Sequence, residues 1–281
     1  MKEIKILIEP GKDAHSTVKK SFLFLLLIIL LLGLPPAEGV AKDKTSGDGR
    51  GVPILLYHRF GPVVADSMTV TTAVFESHLR YLKENGYTVI PLRQLVDYCI
   101  GKTVAPLPAK AVVIVEDDGH KSVYTDMLPL VKKYHVPVTV FLYPSAISNA
   151  SYAMKWDQVR DLKRTGLFDL QGHTYWHPNF KKDKKRLSPS EYDKFVDMQL
   201  IKSKQKLEKE LGSKIDMLAW PFGIYDDYLT HKAAEAGYIA AFSLERRPAA
   251  PSDKIMALPR YLLRNIDNGK AFAAIVAGTS R

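Results

Sequence analysis

The sequence predicts an α/β fold, a distorted or incomplete TIM-like (β/α)7 barrel. Three observations carry this. Short apolar runs alternate with helical patterns over about 230 residues. The runs are continuous rather than alternating, which marks strands buried on both faces, as in a parallel sheet. Several helical patterns close on a glycine, the usual left-handed helix stop. No repeat and no second domain are visible, and residues 52–281 read as one domain.

The chain of 281 residues is long enough to bury a core of its own. Hydrophobic residues make up 46% and charged residues 25%, which excludes a disordered, collagen-like or polytopic membrane protein. A single cysteine, Cys99, excludes an internal disulfide and a Cys-rich zinc site, and reads as packing in an apolar helix. The net charge of +10 is spread along the chain. One local run, Lys181, Lys182, Lys184, Lys185 and Arg186, reads as a solvated face. It has no interleaved aromatics, and no nucleic-acid partner is expected.

The N-terminus reads as a targeting segment. Lys19 and Lys20 precede the apolar run Ser21–Leu34, and Pro35, Pro36 and small residues around Ala37, Gly39 and Ala41 follow. That order describes a secretory signal peptide. The run falls short of the ~20 residues a spanning helix needs. Residues 1–39 are therefore expected to be a signal peptide or an uncleaved N-terminal anchor, the one expected contact with a membrane. Residues 40–51 read as a linker, and the rest as periplasmic or extracellular.

Strands are predicted at Ile54–Tyr57, Thr88–Ile90, Ala111–Val115, Val138–Leu142, Phe168–Gln171, Met217–Trp220 and Ile239–Phe242. Between them Phe75, Leu79 and Leu82 form a helical stripe that ends at Gly86. Patterns over Leu92–Ile100, Trp156–Thr165 and Asp226–Ala236 end at Gly101, Gly166 and Gly237. The longest helix begins at Ser188-Pro189-Ser190-Glu191, a capping box with proline in the first turn. Tyr192, Val196, Leu200, Leu207 and Leu211 line one side of it, and Gly212 ends it. His78 and His135 read as surface residues.

In a parallel barrel, function gathers at the C-terminal strand ends. Glu116-Asp117-Asp118-Gly119-His120 follows the third predicted strand. Gly172-His173-Thr174-Tyr175-Trp176-His177-Pro178 follows the fifth, and Pro221-Phe222-Gly223 follows the sixth. Adjacent carboxylates repel unless a cation or proton intervenes. One carboxylate with two imidazoles forms a facial triad that leaves metal positions open. His120, beside the acids, reads as a residue without a role in the chemistry, with a group supporting the acids as the alternative.

With these motifs the sequence resembles the polysaccharide deacetylases of carbohydrate esterase family 4, which share the NodB homology domain. It is most similar to the branch of the poly-β-1,6-N-acetylglucosamine deacetylases. Val115-Glu116-Asp117-Asp118-Gly119 corresponds to that family's Thr-Phe-Asp-Asp-Gly motif. His173-Thr174-Tyr175-Trp176-His177 matches its His-(Ser/Thr)-x-x-His motif. Trp220-Pro221-Phe222-Gly223 retains part of a third motif without its upstream arginine. Ile54-Leu55-Leu56-Tyr57-His58 and Leu258-Pro259-Arg260 are also similar to that branch. Glu116 stands where the family has an aromatic, and no histidine follows His231 to serve as the family's late general acid.

The resemblance implies N-deacetylation of an acetylated polysaccharide. It implies Asp118, His173 and His177 as ligands to one divalent transition metal, zinc first, with cobalt, nickel and iron as alternatives. Asp117 is implied as general base, and the Phe222 backbone N–H as oxyanion donor. His58, at the first strand end, is the expected proton donor to the leaving amine, with Asp117 returning its proton as the alternative. Arg260 is expected either at the substrate or paired with Asp117 in place of the missing arginine. Tyr175, Trp176 and Trp220 are candidate sugar platforms or else core and rim aromatics. A monomer is expected. The rival readings are a non-catalytic glycan-binding protein on a degenerate deacetylase scaffold and a peptide or small-amide hydrolase.

Overall fold

The sheet closes around the C-terminal strand ends on which the sequence motifs fall. A computed structural model describes residues 51–279. The expected export segment, and the expected linker apart from Gly51, lie outside them. The strands are β1 Ile54–Tyr57, β2 Arg59–Gly61, β3 Thr69–Thr71, β4 Thr88–Val89, β5 Ala111–Asp117, β6 Val138–Leu142, β7 Phe168–Gly172, β8 Met217–Ala219, β9 Ala240–Phe242 and β10 Tyr261–Leu262. The main sheet runs β10-β1-β5-β6-β7-β8-β9, with all its neighbours parallel. The pair β2 and β3 forms a separate small sheet, and β4 pairs only with the start of β5.

The segment ending in β10 touches both edges of the main sheet. Leu258 bridges Phe242 of β9, while Tyr261 and Leu262 pair with Leu55 and Leu56 of β1. One short stretch thus draws the curl together, giving the incomplete barrel the apolar runs predicted. It was not predicted as a strand, because two paired residues leave no apolar run to read.

Strand alternation sorts the core into two layers. Val113 and Val115 pack inward with Ile54, Leu56, Phe141, Met217, Ala219 and Phe242. Val112 and Ile114 face outward with Leu55, Val140 and Leu218, against helix residues such as Phe75, Leu79, Val159 and Leu207. Burial on both faces is why these strands read as continuous apolar runs.

The predicted caps form. Ser188 Oγ accepts the Glu191 N–H at 3.4 Å, and Glu191 Oε2 accepts the Ser188 N–H at 2.9 Å. The helix beginning there is not one continuous α-helix, however. Pro189–Asp197 and Ser203–Leu211 are joined by a π-turn over Met198–Lys202. The expectation for His78 is also corrected. It follows Phe75 by three residues on the stripe of helix Thr72–Glu84, so it is buried. Its ring stacks on Phe272 at 3.9 Å, and Nδ1 lies 3.0 Å from Tyr57 Oη. No helix among the described residues is long and apolar enough to cross a membrane.

Candidate metal centre and active site

Alternation along β5 separates its two acids. Asp117 shares the inward face with Val113 and Val115, whereas Glu116 faces outward with Ile114. The chain then turns through left-handed backbone at Asp118 (φ 83°) and Gly119 (φ 67°). A Cβ at Gly119 would lie 2.5 Å from Leu142 Cδ2, so this position requires glycine. Glu116 steadies the turn from below. Its Oε2 and Oε1 accept the Gly119 and His120 N–H groups at 3.3 and 3.4 Å. Full burial, reinforced by the Asp118 and Asp117 charges, pushes the Glu116 carboxyl well above the usual range.

The two histidines come from the loop after β7. The His173 backbone N–H donates to Leu142 O at 2.8 Å, and the Asp118 N–H to Phe141 O at 3.0 Å, so β6 sets the register of both ligands. His173 Nδ1 lies 2.7 Å from Ala219 O. A carbonyl there requires Nδ1–H, which leaves the Nε2 lone pair facing the carboxylates. His173 Nε2 is 3.6 Å from Asp118 Oδ1, and His177 Nε2 is 3.8 Å from the same oxygen. Burial drives His173 down to about 3, so its imidazole is neutral.

Holding this loop requires supports that the sequence reading missed. Thr174 and His177 adopt φ of 65° and 59°, a costly conformation for residues other than glycine. Gln199 Oε1 accepts the N–H groups of Tyr175 and Trp176, both at 3.1 Å. Ser203 Oγ donates to Thr174 O at 2.8 Å. Gln199 lies in the π-turn, a break in α-geometry of the kind found at functional sites. The available sequence signal was a pair of polar residues, Gln199 and Ser203, beside the apolar stripe of that helix.

Arg260 reaches the centre from beside β10. Its Nη1 and Nη2 donate to Asp117 Oδ1 and Oδ2, both at 2.8 Å, and its Nε donates to Ser243 O at 3.1 Å. Burial alone would raise the Asp117 carboxyl, but the guanidinium outweighs it and holds Asp117 at about 2. Arg260 is fully buried, so it contacts Asp117 and not a sugar. Trp220 is corrected likewise. It is 0% exposed, and its indole N–H donates to Met256 O, so it is a core residue and no platform.

Trp176 is 46% exposed against Phe195, and Phe222 is 56% exposed with its ring 4.6 Å from that of His177. Tyr175 is half-buried. Phe222 takes φ 57° within the turn Pro221–Gly223, and its N–H makes no backbone hydrogen bond among the described residues. His58 follows β1, and its buried Nδ1 has no hydrogen-bond partner there. Burial lowers the His58 pKa, opposed by the Asp117 and Asp118 charges. His120 turns away from the acids, with Nδ1 2.8 Å from Ser122 Oγ and its ring stacked on Tyr152. Tyr143, unremarked in the sequence, stands 5.4 Å from the His177 ring.

The donor set fits a divalent transition metal. One ligand atom each from Asp118, His173 and His177 lies within 4.8 Å of the others. Asp118 Oδ1 is buried without a hydrogen-bond partner among the described residues. An orphaned buried carboxylate oxygen between two neutral imidazoles is costly unless a cation completes it.

Comparison with known proteins bears on the fold and the family. The polysaccharide deacetylase family model matches residues 105–241. Poly-beta-1,6-N-acetyl-D-glucosamine N-deacetylase of Staphylococcus epidermidis is 26% identical over 201 residues, which cover 70% of this chain and 68% of the relative. Among solved structures, the Streptococcus pyogenes deacetylase PplD in complex with acetate matches with a TM-score of 0.71 at 22% identity, over 82% of this chain and 99% of that one. IcaB from Ammonifex degensii matches with a TM-score of 0.71 at 24% identity, over 83% and 98%. The fold is thus that of the NodB-type deacetylases. Residues 105–241, just under half of the chain, match a polysaccharide deacetylase domain, and the named relatives support a hydrolase of that class.

Proposed function

We propose that this chain is a metal-dependent N-deacetylase of an exported poly-N-acetylhexosamine glycan, with β-1,6-linked N-acetylglucosamine as the first substrate to test. One observation carries the reading: the orphaned Asp118 Oδ1 faces two histidine nitrogens directly beside an ionised, arginine-clamped Asp117. The S. epidermidis relative, named for that polymer, supports the choice of substrate.

Asp118, His173 and His177 hold the metal, zinc or another first-row ion. When bound, such an ion polarises an acetyl carbonyl and acidifies water. Asp117, ionised and fixed by Arg260, accepts the proton of the attacking water. The free Phe222 N–H serves the developing oxyanion. His58 delivers a proton to the leaving amine. Trp176 offers its exposed face to a sugar ring. The protein acts outside the cytoplasm after export through residues 1–39, and N-terminal sequencing of protein from the native host should begin near Val40 or Lys42.

The deciding experiment is acetate release from β-1,6-linked N-acetylglucosamine oligomers, chitooligosaccharides and peptidoglycan fragments side by side. The expected result is release strongest on the β-1,6 series, abolished by a chelator and restored by divalent metal. Glycan binding with no acetate from any substrate would establish the non-catalytic reading instead. Release from small amides alone would establish a different hydrolase.

A further inference from the structure

The lysine run that reads in sequence as a solvated face lies beside the candidate centre. Its helix, Phe180–Arg186, begins three residues after His177. Four residues of chain span at most ~14 Å, so the Lys181 backbone lies within that distance of His177. The helix is firmly seated. Phe180 is fully buried, edge-on to Trp220 at 6.2 Å and to Phe195 at 6.1 Å. Asn179 Oδ1 caps it by accepting the Lys182 N–H at 3.0 Å. Lys184 is tied to Asp226 at 2.7 Å.

The neighbouring acids are already engaged. Asp183 pairs with Arg186, Asp226 pairs with Lys184, and Glu191 closes the Ser188 capping box. Lys181, Lys182 and Lys185 are exposed and make no ion pair among the described residues. Three exposed, uncompensated cations therefore follow within a few residues of His177, at a site whose proposed substrate is neutral.

We infer that this lysine helix makes the enzyme charge-selective along its polymer, favouring fully acetylated stretches over stretches that already carry free amines. The inference rests on the deacetylase reading. Hydrolysis breaks the amide C–N bond. The acyl carbon takes the water oxygen and leaves as acetate, and the nitrogen takes protons and leaves as an ammonium. Each turnover thus converts a neutral sugar into a cation next to three lysines. Three charge pairs at ~10 Å in water amount to roughly a two- to eightfold preference, the lower figure with screening at ~0.1 M salt. A new amine therefore weakens the hold on its own neighbourhood, and deacetylated sites become spaced along the chain.

The test compares kcat/KM of the full, metal-loaded chain on fully acetylated oligomers and on oligomers of equal length bearing one free amine. At ~0.1 M salt the acetylated oligomer should be preferred at least twofold, and at ~1 M salt the ratio should fall to one. The triple variant Lys181→Gln, Lys182→Gln, Lys185→Gln should give a ratio of one at both salts, with acetate release from the acetylated oligomer unchanged. A wild-type ratio of one with robust acetate release overturns the inference alone. So does a triple variant that keeps the wild-type ratio. No acetate from either oligomer overturns the deacetylase reading, and the inference with it.

Discussion

Arg260 grips Asp117 through two parallel hydrogen bonds of 2.8 Å, across 143 residues of sequence and with both side chains buried. The pair joins the closing segment of the sheet to the acid motif of β5, so that one contact serves both fold and site. It also outweighs burial, which raises the Asp117 pKa, and so holds the carboxyl down at about 2.

Arg260→Lys tests that relationship. Lysine cannot reproduce the bidentate fork. The Asp117 pKa should therefore rise from about 2, and because the ionised form is the active one, the acid limb of the kcat/KM profile should move to higher pH. Arg260→Met should cost about 3–5 kcal/mol of stability, since it leaves a buried carboxylate alone. A pH–rate profile and urea unfolding of both variants measure these outcomes. An unmoved acid limb in Arg260→Lys would show that the guanidinium does not set the Asp117 charge.

Asp117→Asn and Asp118→Asn should separate base from ligand. Asp117 points inward to Arg260, while Asp118 presents its orphaned oxygen to the two histidines. Asp117→Asn should bind metal normally yet lose on the order of 10²–10⁴ in rate. Asp118→Asn should bind metal weakly and recover part of its activity in excess metal. Metal titration alongside acetate release reads both, and the opposite pattern would reverse the two roles.

Gln199→Leu should loosen the histidine loop without touching a ligand. Its Oε1 accepts two backbone N–H groups, from Tyr175 and Trp176. Removing a support of this kind costs on the order of 10–100-fold in metal affinity. Isothermal titration with zinc, set against the small change expected in far-ultraviolet circular dichroism, distinguishes loss of positioning from unfolding.

The parts legible in sequence were those written in local pattern. Doubly buried strands gave continuous apolar runs, and Ser188 with Glu191 announced a helix start. The motifs around Asp118, His173 and His177 followed predicted strands, and the structure brings them together. What escaped depended on distant partners. β10 is too short to leave a pattern, and the π-turn that swings Gln199 inward breaks no sequence rule. His78 looked polar enough for the surface, but its three-residue spacing from Phe75 placed it inside. Trp220 offered an aromatic beside the motif, and only the packing of Phe180 and the Met256 carbonyl shows that it belongs to the core.

Glu116→Gln should be nearly silent. Burial on the outward face of β5 pushes the carboxyl toward its neutral form, and it accepts two backbone N–H groups of the turn. Glutamine is neutral and keeps an acceptor there, so acetate release should stay within about twofold of wild type. Glu116→Ala strips the turn of its acceptors and should cost about 1–3 kcal/mol. A large loss of activity in Glu116→Gln with metal still bound would instead place Glu116 in the chemistry.

His78 should give the fold a measurable weakness to acid. The ring is buried between Tyr57 and Phe272, and burial pushes its pKa from 6.5 down to about 4, against the nearby Asp267 charge. The unfolded chain therefore takes up a proton at His78 in a range where the folded chain does not. Stability from this residue is complete above pH 6.5 and declines as the pH falls toward about 4. The full difference is about 3 kcal/mol. Other histidines add to the slope in wild type and variant alike, so the comparison with His78→Gln isolates this one. Urea unfolding across that pH range should show the variant losing about 3 kcal/mol less than wild type. Equal losses in the two proteins would mean that His78 is protonated in the folded state, with its stacking on Phe272 retained.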